Sequence, residues 1–355
     1  MPVPLTDPPA ALALDAPALA RYLGAPSVRV RKFSHGQSNP TYLVEAPGSG
    51  GAGGAPQQWV LRKKPPGRLL KGAHAVEREH RVLSALGRSG SVPVPRVYAL
   101  CEDPGVLGTP FYLMEYVEGR VLEDPCLPAA ASPGERHATY TAMAHTLADL
   151  HGVDPAAVGL GRFGRAEGYS ARQVETWFRQ YAASVGGESG FEAPVVALAR
   201  WLKGHVPHDE GPARVVHGDY RLDNLVFHPE EPRVLAVLDW ELSTLGCPMA
   251  DLAYCCMGYH APPGMGAYPS LGAELPEGVP TERELVAAYC ARRGCTDPME
   301  GGTWPFYVAL GMFRGAAILA GVRARAAAGN ASAANAAKVG ALVEAFAARA
   351  LAVAG

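Results

Sequence analysis

The chain has 355 residues, about twice the usual domain length, so it can hold one large domain or two apposed lobes. Hydrophobic residues make up 48% and charged residues 19%, which allows a sizeable core and excludes wholesale disorder. A net charge of −2 and a pI near 6.6 leave no global basic field to hold a nucleic acid or an anionic membrane.

The first 20 residues show no basic segment ahead of an apolar run, so no secretory signal is expected. A short helix is expected over residues 17–23. Residues 28–45 alternate in polarity around Ser34-His35-Gly36-Gln37-Ser38-Asn39-Pro40, the pattern of a strand, a polar glycine turn and a second strand. Residues 47–56, PGSGGAGGAP, have the composition of a loop tip that accepts insertions. Residues 59–64 read as a third strand, broken by Pro65-Pro66-Gly67. Val76, Val82, Leu83 and Leu86 recur at helical spacing and place a helix over 73–86; 94–100 and 111–117 are strand-like. Beyond Gly119 helices are expected at 137–151, 170–184 and 195–202. A β-rich segment at 215–240 follows, then helices at 249–257, 282–293, 304–328 and 332–353. The most apolar stretch, 307–322, contains Arg314 and several glycines and reads as a buried helix rather than a membrane span. The outline is an α+β chain with a small β-rich N-lobe, residues 1–117, and a large, mainly helical C-lobe, residues 118–355. Seven scattered cysteines without a CxxC pair read as thiols in a reducing compartment, and a cytoplasmic protein is expected.

The densest polar array is His217-Gly218-Asp219-Tyr220-Arg221-Leu222-Asp223-Asn224, followed by an apolar run that ends at Asp239-Trp240-Glu241. Phosphoryl transfer needs a carboxylate to orient and deprotonate an attacking hydroxyl, and oxygen ligands for the Mg²⁺ that bridges the phosphates. An Asp and an Asn on one short loop, with a second Asp at the end of the next hairpin, supply those groups. Taken singly, each is an ordinary turn former. The spacing of the whole set is what points to a shared metal–phosphate site.

This array resembles the catalytic and metal loops of the aminoglycoside phosphotransferase (choline kinase-like) enzymes, over residues from about 28 to about 320. Three N-lobe strings are similar to the branch found as the N-terminal kinase-like domain of acyl-CoA dehydrogenase fusion proteins. They are Phe33-Ser34-His35-Gly36-Gln37-Ser38-Asn39-Pro40-Thr41-Tyr42, Val60-Leu61-Arg62-Lys63-Lys64-Pro65-Pro66-Gly67 and His74-Ala75-Val76-Glu77-Arg78-Glu79. The resemblance implies a protein kinase-like bilobal fold with ATP and Mg²⁺ as cofactors. It implies that Asp219 is the catalytic base, that Asn224 and Asp239 hold Mg²⁺, that His217 braces the loop, and that Arg221 contacts phosphate or substrate. Gly36 would let the chain pass close over the phosphates, with Ser38 and Asn39 donating hydrogen bonds to them. Glu79 would face the phosphate-binding cation. Met114 would lie in the strand leading to the hinge, where the backbone of Glu115 and Val117 pairs with the adenine edge.

The chain departs from the family pattern in four places. The nucleotide-binding cation falls on Arg62 by strand register, where a Lys is usual, while Lys64 shares the same strand face; Arg62 is preferred, although the two side chains differ in geometry. The glycine turn has a single glycine, Trp240 follows the metal-site aspartate, and Cys247 precedes Pro248 where an acidic residue is usual. Asp251 is read as a helix-capping carboxylate, Cys255-Cys256 as core packing, and Glu241 as either a neighbour of the metal site or substrate-facing.

No activation loop for a polypeptide follows Asp239, because a helix begins within about ten residues. The expected acceptor is therefore a small-molecule hydroxyl, bound by insertions at 120–200 and 255–310. No acidic cluster there suits a polycationic aminoglycoside, and the branch resemblance suggests a hydroxy acid or hydroxyacyl-CoA. An aminoglycoside kinase and a non-catalytic nucleotide-binding module stay open as alternatives. No nucleic-acid or membrane partner is expected, and a functional link to an acyl-CoA dehydrogenase is implied by the branch.

Overall fold

The computed structural model describes residues 4–34, 39–48, 56–65, 74–208, 211–261, 270–272, 274–327 and 342–355. Gly36, Ser38 and the tip of the 47–56 loop lie outside these residues. The chain divides into two compact units. One is Met1–Leu122 with Asp223–Ser243, and the other is Glu123–Leu222 with Thr244–Gly355.

The first unit begins with β1 (Leu5–Thr6), α1 (Ala16–Leu23), β2 (Arg29–Phe33), β3 (Thr41–Ala46) and β4 (Gln57–Lys63). It continues with α2 (Val76–Ser89), β5 (Val97–Cys101), α3 (Pro104–Leu107), β6 (Phe111–Glu115) and β7 (Arg120–Val121). Asp15 caps α1 by accepting the Ala18 N–H, with Pro17 just inside the start and Gly24 left-handed just past the end. The sheet is antiparallel, in the order β1-β2-β3-β4-β6-β5. One of its faces, with Tyr42, Val44, Leu61, Phe111 and Leu113, packs around Leu19 of α1 as the core. Side chains alternate along a strand, so Arg62 turns to the face opposite Leu61, where α2 lies against β5 and β6.

The chain then enters the second unit with α4 (Pro133–Gly152), α5 (Tyr169–Ser184), α6 (Ala193–Gly204) and β8 (Arg214–Val216). It returns to the first unit through β9 (Leu225–Phe227) and β10 (Val234–Val237), an antiparallel hairpin that pairs with β7. The second unit is completed by β11 (Thr244–Gly246), which pairs with β8, and by α7 (Pro248–Cys255), α8 (Glu282–Arg293), α9 (Trp304–Ala327) and α10 (Val343–Ala354). The described part of the helix expected over 332–353 is α10. By length and composition α9 could cross a membrane, but 72% of its apolar window is buried inside the protein, as the sequence leads one to expect. It packs against α10, α5, α7 and α6. None of the seven cysteines enters a disulfide.

Candidate active site

In the first unit, Arg62 is the hub of a buried ionic cluster. Its Nε donates to Glu79 Oε2 at 3.0 Å and its Nη2 to Asp239 Oδ1 at 2.5 Å; Glu241 Oε2 lies 3.7 Å away. Lys64, one step past β4, pairs instead with Glu77 in the first turn of α2. The strand therefore delivers Arg62, and not Lys64, to Glu79. Burial alone would lower the Arg62 guanidinium, but Asp239 and Glu79 outweigh it and hold it well above its ordinary value. Glu79 is 1% exposed, and burial pushes its carboxyl up to about 8. Arg62 opposes this, while Asp239 and Glu241 add to it. One oxygen of Glu79, Oε1, is buried without a hydrogen-bond partner among the described residues.

Asn39 is fully buried beside this cluster. Its amide nitrogen is shared between Glu79 Oε2 and Glu241 Oε2, each at 3.3 Å, and its carbonyl faces His74 Nδ1 at 3.0 Å. The side chain thus ties α2 to the segment after β10 and is not presented outward as a phosphate donor. Glu241 joins the same cluster, which decides its role in favour of a neighbour of Asp239. Asp239 sits in the left-handed backbone region, φ 62° and ψ 63°, which Asp tolerates better than most residues. The Leu238 N–H donates to the Asn224 carbonyl at 2.8 Å, so the residues flanking the hairpin are locked together and Asn224 and Asp239 stand at its two ends. At the edge of β6, the amide of Glu115 donates to Arg96 O at 2.8 Å. Met114 is buried within the strand, and Val117 lies beyond it.

In the second unit, the loop after β8 is held from below by Asp251. This carboxylate is 3% exposed and accepts the amides of His217 at 2.6 Å and Gly218 at 2.8 Å. His151 Nε2 lies 3.3 Å from it, and His151 Nδ1 is 2.8 Å from the Tyr289 hydroxyl. The expected capping role of Asp251 is overturned: α7 has no side-chain cap at its start, and the carboxylate serves a different segment. His217 is fully buried and its Nδ1 accepts the Asp219 N–H at 3.1 Å, so it braces the loop. Gly218 has φ +83°, a conformation that favours glycine.

The Asp219 carboxylate projects from this frame. Arg221 Nε is 3.7 Å and Arg314 Nη2 3.6 Å from Oδ1. Burial pushes Asp219 up, but Arg221, Arg314 and a hydrogen bond from Tyr254 prevail and hold it below the usual carboxylate value. Arg314, on α9, also donates to the Gly218 carbonyl. Its proximity to Asp219 escaped sequence reasoning; the one available signal was a lone charge inside an apolar helix.

The family described as "Phosphotransferase enzyme family" matches residues 29–299. The protein named "Probable acyl-CoA dehydrogenase IBR3" from Arabidopsis thaliana is 47% identical over 313 residues, covering 86% of this chain and 37% of the relative. The chain therefore spans little more than a third of that relative's length. A solved Ralstonia eutropha structure assigned as an aminoglycoside phosphotransferase is 42% identical with a TM-score of 0.80, covering 96% of this chain and 98% of that one. The fold alone is shared with a thermostable mutant of aminoglycoside phosphotransferase APH(4)-Ia solved with AMP-PNP and hygromycin B, at a TM-score of 0.60 and 16% identity, covering 96% and 97% of the two chains.

Proposed function

From the membership of this chain in the phosphotransferase enzyme family of small-molecule kinases, we propose that it moves the γ-phosphoryl group of ATP to a hydroxyl of a small molecule with the help of Mg²⁺. The observation that carries the reading is the state of Asp219, a mostly buried carboxylate kept ionised by two guanidinium groups on a loop whose amides are fixed. Such a group orients the acceptor hydroxyl and takes its proton as the new O–P bond forms and the bond to ADP breaks.

The first unit suits the donor side. Arg62 faces the Asp239 and Glu241 carboxylates as well as the Glu79 carboxyl, whose second oxygen is buried without a hydrogen-bond partner among the described residues. That cluster is short of positive charge, which a divalent cation makes good. No group of three or more His, Cys, Asp or Glu among the described residues forms a metal cage. This fits Mg²⁺, which keeps water and phosphate oxygens and needs few protein ligands. The Asn224 side-chain oxygen and the Asp239 carboxylate are the groups we assign to it; when bound, it neutralises charge developing on the transferring phosphates. Arg62 is the cation we assign to the phosphates, since Lys64 is held by Glu77. With the Glu115 amide already bonded to Arg96, its carbonyl and the backbone of Val117 are the adenine-facing groups of this reading.

On the acceptor side, the cations paired with Asp219 among the described residues are Arg221 and Arg314. They repel a polycationic aminoglycoside and favour a hydroxy acid or a hydroxyacyl-CoA thioester. The likeness to acyl-CoA dehydrogenase proteins supports a functional link to such an enzyme. A panel assay with Mg·ATP tests this. Turnover of hydroxyacyl substrates is expected, with kcat lowered on the order of 10²–10⁴-fold in Asp219→Asn. Turnover of aminoglycosides in their place would overturn the acceptor assignment.

A further inference from the structure

α9 is buried and apolar over most of its length, yet it carries Arg314, whose side chain is 11% exposed. A buried guanidinium is unfavourable unless its charge and donors are answered. Two aromatic rings and two oxygens lie against this one. The guanidinium carbon lies 4.3 Å from the ring centroid of Tyr254 on α7 and 5.2 Å from that of Trp177 on α5. The same group donates to the Gly218 carbonyl and reaches Asp219 Oδ1 at 3.6 Å. Close approach of the turn that follows α7 is helped by Gly311, where a Cβ would already stand 3.2 Å from Met257 Sδ.

We propose that Arg314 is a positioning residue for Asp219: the ring-clamped guanidinium holds the Gly218 carbonyl and the Asp219 carboxylate together and so sets the direction in which the base faces the acceptor hydroxyl. Gly218 is thereby fixed on both sides, its N–H by Asp251 and its C=O by Arg314. Neither hold replaces the other. Asp251 anchors backbone only, whereas Arg314 joins backbone to the reacting carboxylate. A planar fork meets two acceptors and stacks on rings at once; a lysine ammonium at the same place does neither well. Loss of Arg314 leaves the Asp251 anchor intact, so the loop loosens at the Gly218 carbonyl without unfolding, and its carboxylate loses aim.

This inference rests on the reading of Asp219 as the base, and its test separates the two. Hydrogen exchange of residues 214–222 is measured in the 355-residue chain and in Arg314→Ala and Arg314→Lys, without any turnover. In parallel, kcat and KM are measured for Mg·ATP hydrolysis with water as acceptor, with and without added methylguanidinium. Expected are faster exchange of the loop in both variants and a kcat lowered about 10–100-fold, the scale of a small misplacement of a reacting group. KM for ATP should stay within about 3-fold, since the nucleotide side is untouched under uniform-binding logic. Arg314→Lys should recover little, and methylguanidinium should restore part of the kcat and of the exchange protection of Arg314→Ala. Trp177→Leu, which removes one ring and keeps the charge, should shift both readouts in the same direction by less, and it serves if Arg314→Ala does not fold. Loop exchange identical to the parent in every variant, or wild-type kcat in Arg314→Lys, would overturn the proposal. Absent ATP turnover in the parent protein would count against the phosphotransferase reading alone, with the exchange measurement still deciding the role of Arg314.

Discussion

The carboxylate of Asp251 takes two loop amides and faces His151, all out of contact with water. Asn in its place would keep one acceptor and set an NH₂ group against an N–H donor. Asp251→Asn should therefore destabilise the protein by about 2–4 kcal/mol and lower kcat, read by thermal unfolding and ATP turnover. The effect has a pH signature. Burial pushes Asp251 up, but the His151 hydrogen bond and the charges around it prevail, so its folded value lies below the ordinary 3.8. A depressed carboxylate contributes stability that is fully present above the unfolded value and is lost as pH falls through the folded one. The stability gap between parent and variant should be constant above about pH 4 and narrow below it. A gap that widened on acidification would contradict the assignment. Arg62 gives a second residue-scale prediction. Arg62→Ala leaves Glu79, Asp239 and Glu241 facing one another, so it should lose about 3 kcal/mol or more without metal. Added Mg²⁺ should raise its Tm more than that of the parent. Arg62→Lys keeps the charge but meets a single carboxylate, and its KM for ATP should rise roughly 10-fold, about the 1.4 kcal/mol of one charge-assisted hydrogen bond. Equal Mg²⁺ shifts in parent and Arg62→Ala would remove the case for a charge deficit at this cluster. At this scale the sequence singles out Asp219, Asn224 and Asp239 as candidates, because their joint spacing is local. It was silent on the partners of Arg314, Asp251 and Asn39, because these contacts join residues far apart in the chain and no local pattern encodes them.

At the scale of elements, the boundaries that carry their own chemistry were readable. α8 starts at a capping box, Thr281 with Glu284, and stops at left-handed Gly294, so the expected span of 282–293 is the observed one. β7 and β11 are two and three residues long and leave no periodicity to read. Helix contacts are likewise set by small details. Gly315, next to Arg314, faces α10, where an added Cβ would stand 2.7 Å from Phe346 Cε1 and 3.1 Å from Cδ1. Phe346 is fully buried, so its ring cannot swing clear into solvent. Gly315→Ala gains about 1 kcal/mol of helix propensity and meets an overpacking cost of about 1–3 kcal/mol. A net loss of stability is expected. The loss should shrink or reverse in a Phe346→Leu background, a coupling that a double-mutant cycle on thermal unfolding measures directly. Additive effects of the two substitutions would mean that α9 and α10 do not meet at this glycine.

At the scale of the whole molecule, the first unit is discontinuous: Met1–Leu122 is completed by Asp223–Ser243 after an intervening stretch that belongs to the other unit. The sequence reading divides the chain once, near residue 117, because strand and helix patterns change there; it has no means of seeing that a later hairpin pairs with β7. The reasons the hairpin packs there are specific. β9 pairs with β7, and the Val237 N–H donates to Pro93 O at 2.9 Å. Arg120 Nε reaches His228 O at 3.0 Å, and Arg78 reaches Ser243 O at 3.3 Å. Gly119 lies so close to Phe227 that a Cβ would stand 2.3 Å from its carbonyl oxygen. Arg62 and Asn39 find Asp239 and Glu241 there as well. Cutting the chain at 122 therefore strips β7 of its paired hairpin and leaves Arg62 with Glu79 alone among those partners. A fragment of residues 1–122 should unfold without a cooperative transition and bind a dye that reports exposed apolar surface, as incompletely packed chains do. Joining 223–243 to it through a flexible Gly/Ser linker should restore a sharp transition, because loop closure over such a linker costs only a few kcal/mol. A sharp transition in the 1–122 fragment alone would show that the hairpin is a passenger on the first unit and not part of its fold.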